Sequence, residues 1–196
     1  MSRRPISSGR LAFGLLLTLL FTRPWLEVSM LWHMGVQIPL LALLGALAVW
    51  PRRDRDESGG ILRRYRVALL LLGLFTVGLW MLPRLLDAAL HQPLIELAKW
   101  ISLPLGGAAL RLSWPQLPII LRGVLHLELI ATLLRLGWLY LQAPERYCVS
   151  YGIGDQQSLG VLLLIYGAAY GALLGLRLLF LPSPGPALLP SPGNRY

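Results

Sequence analysis

Thiols, acidic side chains and lysine are all scarce in this chain of 196 residues. Cys148 is the single cysteine, which excludes an internal disulfide and any metal cage built from several thiolates. Only 14% of the residues are charged, whereas soluble domains have about a quarter. Because 56% of the residues are hydrophobic, the composition argues against a soluble domain and favours an integral membrane protein of the helical type.

The cationic residues are almost all arginine, since Lys99 is the only lysine among 18 basic residues. A formal net charge of +9 could indicate a nucleic-acid partner. The arginines, however, stand at the ends of apolar runs and form no exposed basic face. They therefore predict membrane topology and contact with anionic lipid headgroups, with no role for nucleic acid.

The apolar runs predict an all-α fold, a polytopic transmembrane helix bundle of about six spans with short loops, in a single domain covering residues 1–181. The first run follows Arg3, Arg4 and Arg10, so it reads either as a retained first helix or as a cleaved secretory signal. Pro39 predicts a kink in the second span, and Pro104 with Gly106 and Gly107 predicts a break in the fourth. Residues 84–91 are expected to form a short polar turn, and residues 143–158 a polar loop. The predicted spans cover residues 6–22, 25–50, 67–82, 93–110, 119–142 and 159–181, and residues 182–196 are expected to form a disordered Pro-rich tail.

The positive-inside rule orients these spans. The arginine-rich segment 51–66 reads as a cytoplasmic loop, which puts both termini in the cytoplasm and the loops near residues 23, 87 and 150 on the outer side. We therefore predict a multi-pass protein of the bacterial cytoplasmic (inner) membrane.

Ionisable residues inside spans are costly, so they are candidates for function. In the fifth span, Arg122 and His126 lie within about 40° of each other on one helix face. Glu128 and Arg135 share another face. These charges either pair with one another, or with Glu96 and Lys99, and fix the register of the bundle, or they serve a substrate, a metal or a proton.

The second span presents Met30, His33, Met34 and Gln37 at helical spacing on one face. Thioether and imidazole suit a copper ion, because soft ligands favour Cu(I). The alternative is that these side chains only pack between helices. Asp87 and His91 could complete the site from the outer turn. No catalytic triad, phosphate loop or zinc-protease motif occurs, so we expect a protein that is not an enzyme.

The triplet Asp155, Gln156 and Gln157 forms a polar cluster at the lip of the last apolar run. A segment that is apolar all round favours a bilayer over a protein interior, and polar groups at its boundary need partners. In the run that follows, Gly167, Gly171 and Gly175 recur every four residues, which indicates close helix packing. The stripe packs either within this chain or against another membrane chain.

Three stretches in the chain resemble the membrane-bound cytochrome c oxidase assembly factors of the CtaG type associated with caa-type oxidases. The first runs from Met30 through His33, Met34 and Pro39. The second runs from Leu79 through Pro83 and Asp87 to Leu90, and the third is Gly154-Asp155-Gln156-Gln157-Ser158-Leu159-Gly160. The stretches occur in family order, and the third is the most specific.

The resemblance implies the fold and a role in respiratory-chain biogenesis, with copper as the implied cofactor and oxidase subunits as the implied partners. It carries over to His33, Met34, Pro83, Asp155, Gln156 and Gln157. The chain departs from the family at Gln37, where members have a second histidine. It also departs in the helix after the second stretch, where histidines are replaced by Glu96, Lys99 and Trp100.

Two functions are therefore expected. The first is an assembly factor for a haem–copper oxidase or a related copper-dependent membrane enzyme, which would bind or deliver copper. The alternative is a structural or interaction subunit of a respiratory membrane complex without a metal.

Overall fold

The computed structural model describes residues 8–49 and 59–180, and this part of the chain is built from α-helices without a β-strand. The predicted Pro-rich tail and most of the charged part of segment 51–66 lie outside the described residues. Seven helices follow one another within these described residues. They are α1 (Ser8–Leu26), α2 (Met30–Ala48), α3 (Gly59–Trp80), α4 (Pro83–His91), α5 (Pro93–Ser113), α6 (Ile119–Gln142) and α7 (Ile153–Phe180).

Helix α5 is central, because α2, α3 and α4 all pack against it. Helix α1 packs on α2, and α6 and α7 form an antiparallel hairpin that joins the rest mainly where α7 meets the start of α2. The core consists of large apolar side chains contributed by most of these helices. Its fully buried members include Leu19, Ile38, Leu41, Leu86, Leu103 and Leu159.

Glycine allows the backbones of α2 and α5 to touch. A Cβ atom on Gly45 would collide with the carbonyl oxygen of Pro104, and one on Gly107 would collide with that of Ala42. The expected break at Pro104, Gly106 and Gly107 is therefore wrong, since α5 runs on to Ser113. The small residues make a close helix contact, as is common between membrane helices.

Helix α2 contains a π-helical turn over His33–Gln37, in which Ile38 N–H bonds to the carbonyl oxygen of His33. Pro39 follows at once and has no N–H to donate, so a locally wider turn costs little there. The turn buries His33, Met34 and Gln37. The polar first half of this helix thus faces the protein interior.

Three other elements, α4, α7 and α1, differ from the prediction. Residues 83–91 form helix α4 rather than a polar turn, because Leu86 and Ala89 are buried on one face while Arg84 and His91 are exposed. Helix α7 starts at Ile153 rather than at residue 159, so the Asp155–Gln157 triplet lies in its first turn. Helix α1 likewise continues past Arg23 and Pro24.

Two of the described helices, α2 and α7, are long and apolar enough to cross a membrane. A third candidate is the pair formed by Arg64–Trp80 and α4, which is bent by 72° at the break between them. These are fewer than the six spans expected. Helices α5 and α6 each carry three charged residues, which lowers their mean hydropathy.

Charge is divided between the two ends of the bundle. The end at which α3 and α6 begin, and α5 and α7 finish, carries only arginine among the charged residues that the structure describes there. These are Arg10, Arg64, Arg66, Arg111, Arg122 and Arg177. The opposite end collects the acidic residues Glu27, Asp87, Glu96, Glu145 and Asp155 from the described loops and helix ends, together with the basic residues Arg23, Arg84, Lys99 and Arg146.

Candidate functional site: a buried lysine–histidine cluster

Lys99 lies at the centre of a buried polar cluster near the acidic end of the bundle, and its side chain is fully buried. Its ammonium group donates to Glu27 Oε1 at 3.0 Å and to Gln37 Oε1 at 3.3 Å, and lies 2.9 Å from His33 Nε2. An ammonium has three N–H donors, and here it meets three acceptors. The only lysine of the chain is thus satisfied by residues between 62 and 72 positions away in sequence.

The partners of His33 fix its tautomer. Since Nε2 accepts from Lys99, the ring proton lies on Nδ1, which donates to the Tyr151 hydroxyl oxygen at 2.9 Å. The Tyr151 hydroxyl in turn donates to the backbone carbonyl of Glu27 at 3.0 Å. A continuous chain of hydrogen bonds therefore joins α5, α2 and the segment before α7.

Charges inside the cluster balance. Glu27 also accepts from Arg23 at 3.2 Å, and Arg23 pairs with Glu96, so two cations face two carboxylates. Burial raises the pKa of the Glu27 carboxyl, but Lys99 and Arg23 outweigh this effect and hold the pKa below its ordinary value. Such neutrality makes it tolerable to bury Lys99 fully and the two carboxylates in large part, while Arg23 stays partly exposed. One atom, Glu96 Oε1, is buried without a hydrogen-bond partner among the described residues.

The loop between α6 and α7 is held by helix α4. Asp87 accepts from the backbone N–H groups of Val149 at 2.8 Å and Ser150 at 3.3 Å. The Cys148 thiol lies 3.8 Å from the carbonyl oxygen of Pro83 and donates to it. Burial, assisted by the charge of Asp87, raises the pKa of Cys148 to about 12, so the thiol stays protonated near neutral pH. This anchoring delivers Tyr151 to His33.

Only one member of the Asp155–Gln157 triplet is buried. Gln156 accepts from Tyr147 N–H at 3.0 Å and donates to the carbonyl oxygens of Tyr140 and Glu145, at 3.4 Å each. Asp155 is half-buried in the first turn of α7, where the helix dipole favours an acidic side chain. Gln157 is exposed. The triplet thus begins α7 and ties the preceding loop to it.

The arrangement around His33 does not fit a bound copper ion. Both ring nitrogens have partners, and one partner is a cation 2.9 Å away, which would repel a metal ion. Met30 and Met34 are buried beside His33 in α2. Within residues 8–49 and 59–180, no group of three or more His, Cys, Asp or Glu side chains is placed to hold a metal. Asp87 and His91 are engaged elsewhere, since Asp87 binds the loop and His91 Nδ1 contacts the Asp87 carbonyl.

The candidate residues of the fifth predicted span lie in other places. His126 Nδ1 contacts the Tyr170 hydroxyl at 2.6 Å, and its ring centroid lies 5.1 Å from that of Trp114, towards the arginine end. Glu128 and Arg135 pair with each other at 3.4 Å, with 60% and 72% of their side chains exposed. None of these three residues joins the Lys99 cluster.

Sequence reasoning identified His33 as a candidate residue, but it did not predict that His33 and its partners form one cluster. Glu27 and Gln37 were visible as interruptions of an apolar run, and Lys99 as a departure from the family pattern. The signal that could have joined them is that unpaired charges inside spans are costly, so Glu27 needed a cation from another helix. Which cation it was depended on the packing of α2 against α5.

Comparisons with protein-family models, with curated proteins and with solved structures give no match for this chain.

Proposed function

We propose that this chain is a multi-pass inner-membrane protein whose helices form about six spans, with both termini in the cytoplasm. Two described helices are long and apolar enough to cross a membrane, and the bent α3–α4 pair is a third candidate. The charges at the two ends support this orientation under the positive-inside rule, because one end carries only arginine among its described charged residues, whereas the other combines five acidic with four basic residues. The Lys99 cluster then lies towards the outer side.

We further propose that the protein acts as an assembly factor for a haem–copper oxidase or a related copper-dependent membrane enzyme. The observation that carries this proposal is the convergence of the three family-like stretches. Pro83 and Asp87 of the second stretch hold the Cys148–Ser150 loop, and this loop delivers Tyr151 to His33 of the first. Gln156 of the third stretch binds the same loop from α7. Residues scattered over more than 120 positions thus form one structure.

Copper binding by His33 and Met34 stays a prediction, and it would require a rearrangement of the side chains around His33. Copper at Nε2 would require the Lys99 ammonium to leave its present position. We therefore propose that any assembly role depends first on protein contacts. Copper binding is tested by measuring the copper content of the purified protein and of a His33→Ala/Met34→Ala variant. Equal, near-zero content in both would exclude copper binding from the function.

Deleting the gene tests the assembly role. We expect lower oxidase activity and a weaker oxidase haem spectrum, together with normal transcription of the oxidase subunit genes. Re-expression of the wild-type chain should restore both. Normal activity and spectrum in the deletion strain would rule the assembly role out.

The alternative, a structural or interaction subunit, is favoured by the Glu128–Arg135 pair. Both side chains are exposed in the middle of α6, where a lipid environment would be unfavourable for charge. The glycine stripe of α7 gives less support, since Gly167 packs on Leu133 and Leu134, and Gly171 on Ile130, within the chain. A permanent subunit should co-purify with a fixed partner at unit stoichiometry, whatever the copper supply. An assembly factor should be absent from the mature complex.

A further inference from the structure

An open cavity of about 530 Å³ lies where α3 faces the α6–α7 hairpin. Its volume falls within the range of roughly 300–1,000 Å³ that is typical of small-molecule sites. Among the described residues, α3 and α6 are not packed against each other, so the space between them is not filled by side chains. Its walls are mostly apolar and include Leu70, Leu74, Leu129, Leu133 and Leu163.

The length of the cavity matches one leaflet of a bilayer. It extends from Leu70 on α3 to Met81 in the turn after this helix, and on α6 from Leu125 to Leu136. Eleven helical residues span about 16 Å, close to half of a hydrocarbon core of roughly 30 Å. A transmembrane partner helix would need a groove of twice that length. The dimension therefore favours a lipid chain as the occupant.

The arginine end of the cavity is polar. His126 and Tyr170 line it and are hydrogen-bonded to each other, and Trp114 lies beside them. The hydrogen bond uses His126 Nδ1, so Nε2 is the ring nitrogen that remains for a ligand. Farther from this end the wall also contains Tyr166 of α7, and Glu128 and Thr132 of α6, which bond to each other.

Positive charge surrounds this polar end. Trp114 belongs to the turn at residues 114–117. The backbone carbonyls of that turn accept hydrogen bonds from two arginine guanidinium groups. Arg122 binds the carbonyl oxygens of Pro115 and Leu117 at 2.9 and 3.0 Å, and Arg66 binds that of Gln116 at 3.3 Å. Carbonyl partners leave both positive charges uncompensated, and within the described residues no carboxylate pairs with either.

We propose that the cavity binds one acyl chain of an anionic phospholipid, whose phosphate lies against Arg66 and Arg122 at the arginine end. The acyl chain enters between α3 and α6, whose outward faces expose Leu71, Phe75 and Leu127 to the membrane. This site is distinct from the Lys99 cluster and does not depend on a role in oxidase assembly.

The acyl-chain part is tested by a matched pair of substitutions in α6. Both leucines are exposed, but Leu129 lines the open cavity, whereas Leu127, two residues earlier on the same helix, does not. The delipidated protein is reconstituted with dioleoyl phosphatidylglycerol, passed through detergent exchange, and the lipid retained per chain is counted by mass spectrometry. Leu129→Trp should weaken retention at least about tenfold, because excluding even two methylenes costs that much. Leu127→Trp should retain as much as the wild type.

The headgroup part is tested by lipid choice. Wild-type protein should retain phosphatidylglycerol in preference to dioleoyl phosphatidylcholine, and Arg66→Gln/Arg122→Gln should lose that preference. If this double variant does not fold, as judged by its helical circular dichroism, the comparison of the two lipids on wild type decides the point. Equal retention of both lipids by wild type, equal retention by the two tryptophan variants, or recovery of a quinone in place of phospholipid from the native protein would each overturn the proposal.

Discussion

At the scale of single residues, the buried ion pair of Lys99 with Glu27 is the feature whose loss should be most costly. Removing one partner of a buried pair leaves the other charge uncompensated, which destabilises proteins by about 3–5 kcal/mol. Lys99→Met should therefore lower the free energy of unfolding in detergent by roughly 3 kcal/mol, since Arg23 still faces Glu27. Arg84→Met, a substitution at an exposed site on α4, should change it little.

A double-mutant cycle separates the pair from other effects of the substitution. Glu27→Gln/Lys99→Met removes both charges, so it should be less destabilised than the sum of its two single variants. Additive losses would mean that the ammonium and the carboxylate do not interact in the folded protein.

A second prediction at this scale concerns Cys148. Because Cys148 is the only thiol in the chain, its reaction with a thiol reagent reports on its loop alone. A pKa of about 12 leaves roughly one thiol in ten thousand ionised at pH 8, and the side chain is buried. Native protein should therefore react with maleimide far more slowly than denatured protein. Asp87→Ala frees the Val149 and Ser150 amides and should accelerate labelling, whereas Asp155→Ala should not. Equal rates for the two variants would mean that Asp87 does not anchor the loop.

At the scale of helices, the contact of α2 with α5 depends on glycine. Gly107→Ala places a methyl group against the Ala42 carbonyl, so the helices must move apart, and overpacking of this kind costs about 1–3 kcal/mol or more. Gly123→Ala in α6 is the control, because nothing lies within 4 Å of its added Cβ. This control substitution should raise the free energy of unfolding by roughly 0.5–1 kcal/mol. Unfolding free energies that fall equally for both would contradict the close packing of α2 on α5.

The helices also show which structural features could be predicted from sequence patterns. Helix α6 has the bounds predicted for the fifth span, 119–142, because its apolar run is flanked by proline at residues 118 and 144. Helix α4 was missed, because Arg84, Asp87 and His91 look like a polar turn until Leu86 and Ala89 are seen to be buried. The π-turn and the continuation of α5 through Pro104 depend on tertiary contacts that no local pattern contains.

The candidate site divides in the same way. His33 and Gln156 were identified from local features, and both are buried in polar contacts. Lys99 and Tyr151 were not selected, because their significance lies in partners 66 and 118 positions away from them. Long-range pairing of this kind follows from the packing of helices and not from the sequence near each residue.

At the scale of the whole molecule, the proposed topology can be tested with added cysteines, because the native thiol is buried. Ser150→Cys should react with a membrane-impermeant maleimide applied to intact cells from outside, since Ser150 lies exposed at the acidic end. Pro115→Cys, in the turn at the arginine end, should react only after permeabilisation. Labelling of both from one side would contradict the proposed orientation, and recovery of the chain from the soluble fraction without detergent would contradict a membrane protein altogether.

The central claim is that the three converging stretches form one working site in the assembly of a haem–copper oxidase. The most direct measurement is the oxidase haem absorbance of membranes from a deletion strain complemented with wild type, with His33→Ala or with Gln157→Ala, at equal protein levels by immunoblot. Gln157 is the matched control, because it belongs to the third stretch but is exposed. We predict that wild type and Gln157→Ala restore the absorbance while His33→Ala does not. Full absorbance in the deletion strain itself, or equal restoration by all three, would contradict the account.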